Sequence, residues 1–332
     1  MPTPSRIPRP ARLPVLLRSA AALALIGAAP LPAATTPAQA GTVRTAPVRP
    51  DTAHPAAERP GPAPAHPGRP LRYVALGDSF AAAPLAPRGD PRAPVCVRSR
   101  SGYPEVAARS LGARLVNVSC SGARVRDFGG RQSGLVRPQY AALDSATDVV
   151  SLTIGGNDTH LVRAALSCVN LLAEPTGRSC ADRYTAGGRD RIAESVAAWA
   201  PALGRALDEI HRRAPHARIL VVGYGAYLRA GGCYPVQPLW ARDADYLQGS
   251  IDRLSAALRA EAARHRAVFV DTRPLTEGHG GCAPPRKRYL EGFVPSHRAA
   301  GLHPNARGSA VIGRELAAAI TDLRSGTVPT RR

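Results

Sequence analysis

The chain has 332 residues, a formal net charge of +20 and six cysteines. This length allows one α/β domain with a sizeable core after the N-terminal segments described below are set aside. The positive charge alone does not predict a nucleic-acid partner, because the sequence has no run of five Lys or Arg, no basic stretch interleaved with aromatic residues, and no zinc-finger or helix-turn-helix spacing.

The first 40 residues resemble no folded element. They carry four arginines and no acidic residue, then an apolar run over Ala20–Ala29, then Ala38-Gln39-Ala40 before Gly41. This pattern predicts a secretory signal peptide that is cleaved after Ala40, and the apolar run is too short for a permanent transmembrane helix. Residues 41–70 are rich in proline and lack apolar periodicity. They predict a disordered, extended linker.

Arginine outnumbers lysine 43 to 1, and the arginines are scattered through every segment. Such scatter is typical of a solvated, arginine-rich surface. The alternative is attraction to anionic lipid surfaces or acidic polymers, since the net charge is still +16 after the four signal arginines are removed.

Short apolar strands alternate with helical stretches over residues 71–325, and residues 326–332 are expected to form a disordered tail. This alternation predicts an α/β fold, a three-layer αβα sandwich around a parallel sheet. The predicted strands are Leu71–Leu76, Arg114–Ser119, Val149–Ile154, Ile219–Tyr224 and Ala267–Asp271. The predicted helices are Tyr103–Leu111, His160–Leu172, Asp190–Arg213, Ala241–His265 and Arg307–Leu323.

Chemically useful residues follow the predicted strands at the edge where α/β sheets bind ligands. Ser79 follows the first strand in GDSF, Gly122 the second in CSGA, and Asn157 the third in IGGND. His303, in GLHPN, precedes the last helix. A serine, a histidine base and sites for backbone or amide donors are the groups that acyl transfer requires.

Each of these residues also has an ordinary structural interpretation. Ser79 fits a helix N-cap, and Gly122 fits a turn that needs a positive φ. Asn157 tolerates a left-handed conformation. The inference therefore depends on all four motifs occurring in order along one chain.

The four motifs resemble those of the SGNH hydrolase superfamily, the GDSL esterases and lipases, and especially its secreted actinobacterial branch. The resemblance extends from about Tyr73 to Leu316. It implies a five-stranded, flavodoxin-like sheet of order 2-1-3-4-5 and hydrolysis of carboxylic esters without a metal or cofactor. It further implies that Ser79 is the nucleophile and His303 the general base, with an oxyanion hole formed by the N–H groups of Ser79 and Gly122 and the side chain of Asn157.

The chain departs from this family at the residue three positions before the histidine. Many members carry an aspartate there, whereas this chain has Ala300. In the related secreted esterases a backbone carbonyl takes over, so we expect the Ala300 carbonyl to accept from Nδ1–H of His303. Asp271, at the end of the fifth strand, is the alternative residue to orient the ring.

Six cysteines in an exported chain predict three disulfides. All six follow strands at the same edge, and in a sheet of order 2-1-3-4-5 strands one and two are neighbours, as are four and five. The pairs expected from this order are Cys96–Cys120, Cys168–Cys180 and Cys233–Cys282.

These observations predict a secreted, monomeric serine esterase or lipase, with lipid acyl esters, phospholipids included, as the preferred substrates. Phe80, Leu239, Trp240 and Phe293 either line an acyl groove or serve as packing. An acetylesterase acting on polysaccharide is the alternative enzyme. A surface-binding protein that keeps the fold without the chemistry is the alternative outside enzymes.

Overall fold

The computed structural model describes residues 69–326. The predicted signal peptide, the linker apart from its last two residues and the predicted tail beyond residue 326 lie outside this part of the chain. Among the described residues, no helix combines the length and apolar character needed to cross a membrane.

A single parallel five-stranded sheet of order β2-β1-β3-β4-β5 forms the centre of the described chain. This is the predicted order, and it places β1 and β3 in the middle and β2 and β5 at the edges. The strands are β1 (Arg72–Gly77), β2 (Arg114–Asn117), β3 (Val149–Thr153), β4 (Arg218–Val222) and β5 (Val268–Val270).

Helices cover the sheet, with α2 packed on α9 and α6 packed on α7. The α-helices are α1 (Ser79–Ala82), α2 (Tyr103–Leu111), α3 (Arg126–Gly129), α4 (Leu161–Ser167), α5 (Cys180–Tyr184), α6 (Arg191–Arg213), α7 (Ala241–Arg264), α8 (Arg273–Thr276) and α9 (Ala306–Ser325). Short 3₁₀ turns occupy Gln139–Ala142, Ala186–Gly188 and Pro285–Lys287.

Local sequence explains the main elements. Every residue of β3 is buried, as expected for an inner strand of a parallel sheet. Asp190 caps α6 by accepting from the N–H groups of Ile192 and Ala193. The apolar residues of this helix fall at helical spacing and form one buried stripe: Ile192, Val196, Trp199, Leu203, Leu207 and Ile210.

The largest difference from the predicted elements concerns the helix expected over His160–Leu172. It begins at Leu161 and ends at Ser167. Beyond it, Cys168 is bonded to Cys180, and Asn170 donates its N–H to the carbonyl of Pro238. These tertiary bonds take the chain out of the helical path, although its sequence remains compatible with a helix.

Candidate active site

Ser79 lies directly after the inner strand β1, as the first residue of α1. The turn before it requires glycine: Gly77 has φ +128°, and a Cβ there would lie 2.5 Å from the carbonyl oxygen of Thr153. The side chain of Gln139 accepts from the Gly77 N–H at 2.8 Å and donates to its carbonyl at 2.9 Å. Gln139 therefore holds both the N–H and the carbonyl of Gly77, the first residue of the Gly77–Asp78–Ser79 turn.

Asp78, the middle residue of this turn, is almost completely buried. Its carboxylate caps α1 by accepting from the Phe80 N–H at 2.9 Å, and it accepts from the Tyr224 hydroxyl at 2.6 Å. That hydroxyl in turn accepts from the Gly156 N–H at 3.0 Å. Burial raises the pKa of Asp78 to about 7, against the opposing effect of these hydrogen bonds.

Gly122 lies in a loop that is fixed on two sides. It has φ +79°, which glycine adopts without steric cost. On one side the Cys96–Cys120 disulfide precedes it, and on the other the Gln132 amide donates to the Ser121 carbonyl at 2.8 Å. Within residues 69–326, the N–H of Gly122 and that of Ser79 donate to no backbone carbonyl.

Asn157 extends from the loop after β3 toward the loop that carries Gly122. Its amide donates one hydrogen bond to the Ala123 carbonyl at 3.0 Å, and the amide nitrogen has a second hydrogen to donate. The next residue, Asp158, accepts from the Val125 N–H at 3.0 Å. The two loops are thus joined by adjacent side chains.

His303 is half-buried in the loop before α9. Its backbone carbonyl accepts from the Glu291 N–H at 3.0 Å. Its Nδ1 lies 2.7 Å from the Gly301 carbonyl oxygen, and a carbonyl only accepts, so Nδ1 carries the proton and Nε2 is unprotonated in the neutral ring. Burial lowers the pKa of His303 below its ordinary value, although the bond to Gly301 acts in the opposite direction. The ring is therefore a neutral base at neutral pH.

The expectation that the Ala300 carbonyl orients His303 is wrong by one position. The acceptor is the carbonyl of Gly301, and that of Ala300 does not bind the ring. Leu302 adopts φ +61°, which turns the chain so that the carbonyl two residues before the histidine meets the ring. Asp271 does not orient His303 either, because its carboxylate binds Arg259 and the Arg273 N–H.

Ser79 and His303 line the same cavity, which has a volume of about 150 Å³, and Asn157 lines it too. Gly122 is not among the lining residues, so of the four motif residues three border the cavity. The remaining wall is largely apolar and comes from α4, α7 and the loops after β4 and before His303: Leu161, Val162, Ala165, Leu166, Tyr227, Leu228, Leu247, Ile251, Phe293 and Leu302.

The four apolar residues considered for an acyl groove have different positions. Phe80 and Phe293 line the cavity. Leu239 and Trp240 are buried and do not line it. The Trp240 indole donates to the Leu172 carbonyl at 2.9 Å. Trp240 therefore packs against the loop after α4, and Leu239 belongs to the hydrophobic core.

The structure contains the three disulfides with the pairing expected from the sheet order: Cys96–Cys120, Cys168–Cys180 and Cys233–Cys282. The first joins the loop after β1 to the loop after β2. The third joins the loops after β4 and β5. Each of these two bonds crosses between neighbouring strands at the edge of the sheet where the cavity lies.

Sequence reasoning missed three residues that support the site. Tyr224, which was predicted only as the end of a strand, holds Asp78, and its place at a carboxyl end of the sheet was the available signal. Gln139 clamps Gly77 from a 3₁₀ turn. Glu291 is completely buried behind the His303 loop. No sequence pattern marks these last two residues.

Comparisons with known proteins agree on one family. Residues 75–311 match the model of the GDSL-like Lipase/Acylhydrolase family. The chain is 38% identical over 252 residues to Lipase 2 of Streptomyces coelicolor, a match that covers 74% of this chain and 84% of that protein.

Two solved structures share the fold at a TM-score of 0.63 each. The extracellular lipase of Streptomyces rimosus is 27% identical, with 75% of this chain and 98% of that chain covered. Phospholipase A1 of Streptomyces albidoflavus is 26% identical, with 76% and 99% covered. With the site described above, these matches establish that the chain belongs to the GDSL-like lipase/acylhydrolase family and is an ester hydrolase.

Proposed function

We propose that this protein is an exported lipase or esterase that cleaves carboxylic esters of lipids through an acyl-enzyme on Ser79. The observation that carries the proposal is the presence of Ser79 and His303 on one apolar cavity, with Asn157 beside them. Ser79 Oγ would attack the ester carbonyl and transfer its proton to Nε2 of His303. His303 would then protonate the leaving alcohol, and a water molecule activated by the same ring would release the acid.

The hydrogen bonding of His303 supports its assignment as the base. Since Nδ1–H donates to the Gly301 carbonyl, the lone pair of Nε2 is available to accept the serine proton. A carbonyl stabilises the imidazolium less than a carboxylate would. The site is thus a Ser–His dyad whose histidine is oriented by the backbone.

The oxyanion hole is assigned to the N–H groups of Ser79 and Gly122 and to the Asn157 amide. In support, neither N–H donates to a backbone carbonyl of the described chain, and the amide has a second hydrogen to donate. The bonds from the Asn157 amide to Ala123 and from the Val125 N–H to Asp158 hold these donors without substrate. Each donor of this kind is worth roughly 10²–10³ in rate.

The cavity wall favours an acyl chain longer than acetyl. Leucines, isoleucine and phenylalanine dominate it, and two of the lining leucines, Leu228 and Leu247, are buried. A polysaccharide acetylesterase needs polar groups for the sugar beside the nucleophile, and Asp78, the acidic residue in the lining of this cavity, is already bound by Tyr224 and Phe80. Lipid acyl esters therefore fit better than acetylated sugars.

An apolar rim beside the cavity supports contact with lipid aggregates. We define it as seven residues that are between 37% and 81% exposed: Val162, Leu166, Val169, Leu171, Leu172, Val236 and Val294. The segments that carry them are hydrogen-bonded to one another, since Tyr234 donates to the Leu171 carbonyl and Gln237 accepts from the Val294 N–H. An apolar area of this kind beside a cavity is typical of an interaction surface.

Charge gives the rim a preference for anionic lipid. Arg163, Arg178 and Arg298 lie on the segments of the rim, and within residues 69–326 none of their side chains forms an ion pair. We propose that the protein works as a monomer at such surfaces. Export is supported by the three disulfides, which are typical of oxidising compartments, and a signal peptide cleaved after Ala40 is part of the same proposal.

The nucleophile is tested with p-nitrophenyl esters of two to twelve carbons, assayed with wild type, Ser79→Ala and Ser110→Ala. Ser110 is an exposed serine of α2 and serves as the matched control. We expect Ser79→Ala to lose roughly 10⁴-fold or more of the activity and Ser110→Ala to lose none. Wild-type rates from Ser79→Ala would refute the assignment.

The substrate class is tested in the same assay with Ala165→Phe, which adds a ring to the cavity wall. Twelve-carbon esters are expected to lose activity relative to four-carbon esters, because the added ring occupies space for the chain. A wild-type preference for acetyl esters that Ala165→Phe leaves unchanged would support the acetylesterase alternative instead.

The rim is tested by sedimentation of Ser79→Ala with anionic and zwitterionic phospholipid vesicles. Leu171→Ser should reduce the bound fraction, whereas Leu85→Ser, which changes an exposed leucine of another loop, should not. Equal binding by both variants would remove the rim from the proposal.

A further inference from the structure

A second and larger concavity lies beside the edge strand β2. It has a volume of about 470 Å³ and shares no lining residue with the active-site cavity. We call it the edge groove. Its three walls are formed by residues 92–96 and 98, by residues 116–118 at the end of β2, and by residues 135–138, 141 and 142. This volume lies within the range of roughly 300–1,000 Å³ that small-molecule sites occupy.

Three large apolar side chains that line the edge groove are exposed to solvent. Leu135 is 70% exposed, Val95 59% and Val116 46%. They come from all three walls of the groove. Large apolar side chains that are gathered in a concavity and left in solvent point to an apolar ligand.

The edge groove also carries positive charge that the protein does not neutralise. Arg92 and Arg137 line it, and within residues 69–326 neither guanidinium has a hydrogen bond or an ion pair. A third arginine, Arg98, is bound to Asp90 at 2.9 Å. Asp90 also lies 3.7 Å from Arg100, so its charge is already balanced and does not offset Arg92 or Arg137.

We propose that the edge groove binds a fatty-acid carboxylate, with the acid group at Arg92 and Arg137 and the chain along Val95, Val116 and Leu135. A guanidinium binds a carboxylate through two parallel hydrogen bonds, and the apolar walls suit an alkyl chain. The choice of a fatty acid over other amphiphilic anions rests on the proposed function, since hydrolysis of lipid esters would release this ligand at the catalytic cavity.

The site would retain released fatty acid on the protein away from the catalytic cavity. Cys96 lines the edge groove and is bonded to Cys120, and its carbonyl accepts from the Ser121 N–H at 3.2 Å. The groove and the loop that carries Gly122 therefore belong to one covalently joined unit. A ligand in the groove contacts this unit without entering the cavity.

The test is isothermal titration calorimetry of the full mature chain carrying Ser79→Ala, which removes turnover. The probes are dodecanoate, dodecanol and dodecyl phosphate, each well below its aggregation concentration. Dodecanoate should bind the parent at least about tenfold more tightly than dodecanol does, because one charge-assisted pair is lost with the alcohol. Equal binding of the two, or tight binding of dodecyl phosphate alone, would overturn the assignment to fatty acid.

Two variants locate the binding. Arg92→Gln/Arg137→Gln should abolish one equivalent of dodecanoate or weaken it by about tenfold or more. Arg205→Gln/Arg218→Gln, a pair of exposed arginines elsewhere with the same loss of charge, should not. Leu135→Ser should weaken dodecanoate binding, with Leu85→Ser, at an exposed leucine outside the groove and the rim, as its control. Unchanged binding by the Arg92/Arg137 double variant at an unchanged melting temperature would refute the site.

This test is independent of catalysis. Loss of esterase activity, or its absence in the wild type, leaves the titration interpretable because no turnover is measured. A failed titration with normal ester hydrolysis would in turn refute only the edge groove as a site.

Discussion

Glu291 is a buried carboxylate that holds the His303 loop from behind, and its replacement tests how that histidine is positioned. The side chain is completely buried. It accepts from the Asn305 amide at 2.7 Å, from the Ser296 N–H at 2.7 Å and from His297 Nδ1 at 2.8 Å. Asn305 caps α9, and the Glu291 N–H binds the His303 carbonyl. One residue thus supports both sides of the histidine.

The perturbation is Glu291→Gln, which keeps the size of the side chain and removes its charge. Arg288, only 4% exposed, lies 3.4 Å from the carboxylate and would lose its counter-charge. Removing one partner of a buried pair costs about 3–5 kcal/mol. Because Arg288 retains bonds to the carbonyls of Ala283 and Val294, we expect a loss of about 2–3 kcal/mol.

The assay combines urea unfolding with ester kinetics. We expect kcat to fall roughly 10- to 100-fold with KM little changed, because a shifted histidine affects the reaction step more than binding. Glu277→Gln, at an exposed glutamate, is the control. The reasoning would be refuted if Glu291→Gln stayed within about 0.5 kcal/mol of wild type and kept its kcat.

The pH dependence of the same variant has a defined sign. Burial alone would raise the pKa of Glu291, but the hydrogen bonds from Asn305, Ser296 and His297 outweigh it and keep the pKa below the ordinary value. A carboxylate with a lowered pKa stabilises the fold above its unfolded pKa, and this contribution is lost as the pH falls through the folded value. Glu291→Gln should therefore lose less stability than wild type on acidification below about pH 4.5.

Three further predictions concern the site itself. Because burial raises the pKa of Asp78 to about 7, ionisation of this carboxyl destabilises the fold as the pH rises. In urea unfolding, Asp78→Asn should therefore become more stable relative to wild type by about 2 kcal/mol between pH 5 and pH 8. A difference in stability that stays constant over this range would contradict the prediction. Loss of the Cys96–Cys120 bond, which spans 24 residues, in Cys96→Ser/Cys120→Ser should cost about 3 kcal/mol of stability and lower kcat. Unchanged kinetics would show that the bond does not hold the loop that carries Gly122. Since the pKa of His303 is lowered by burial, the acid limb of kcat/KM should fall below pH 6.5, and a limb above that value would argue against His303 as the base.

Much of the fold follows from the sequence because its signals are local. Buried apolar runs such as β3 and the apolar stripe of α6 are periodic patterns that need no knowledge of distant contacts. The helix expected over His160–Leu172 shows the limit. It ends at Ser167 because a disulfide and a bond to the Pro238 carbonyl redirect the chain, and neither is encoded in the local pattern.

The candidate site is likewise predictable only in part. Ser79, Gly122, Asn157 and His303 are predicted from four short motifs, because parallel strands deliver their carboxyl ends to one edge of the sheet. The partners of these residues come from remote parts of the chain. Gln139 reaches Gly77 across 62 positions, and Tyr224 reaches Asp78 across 146. Contacts at such separations leave no periodic trace in a single sequence.

The carbonyl that orients His303 shows both what the sequence predicts and what depends on the tertiary structure. The sequence alone determined that no aspartate stands three residues before the histidine. The family resemblance implied that a backbone carbonyl takes its place, with Asp271 as the alternative. Only the tertiary structure decided that this carbonyl belongs to Gly301, because the left-handed conformation of Leu302 sets the direction of the chain at that point. A backbone dihedral of this kind depends on the packing around the loop, and residue types do not specify it.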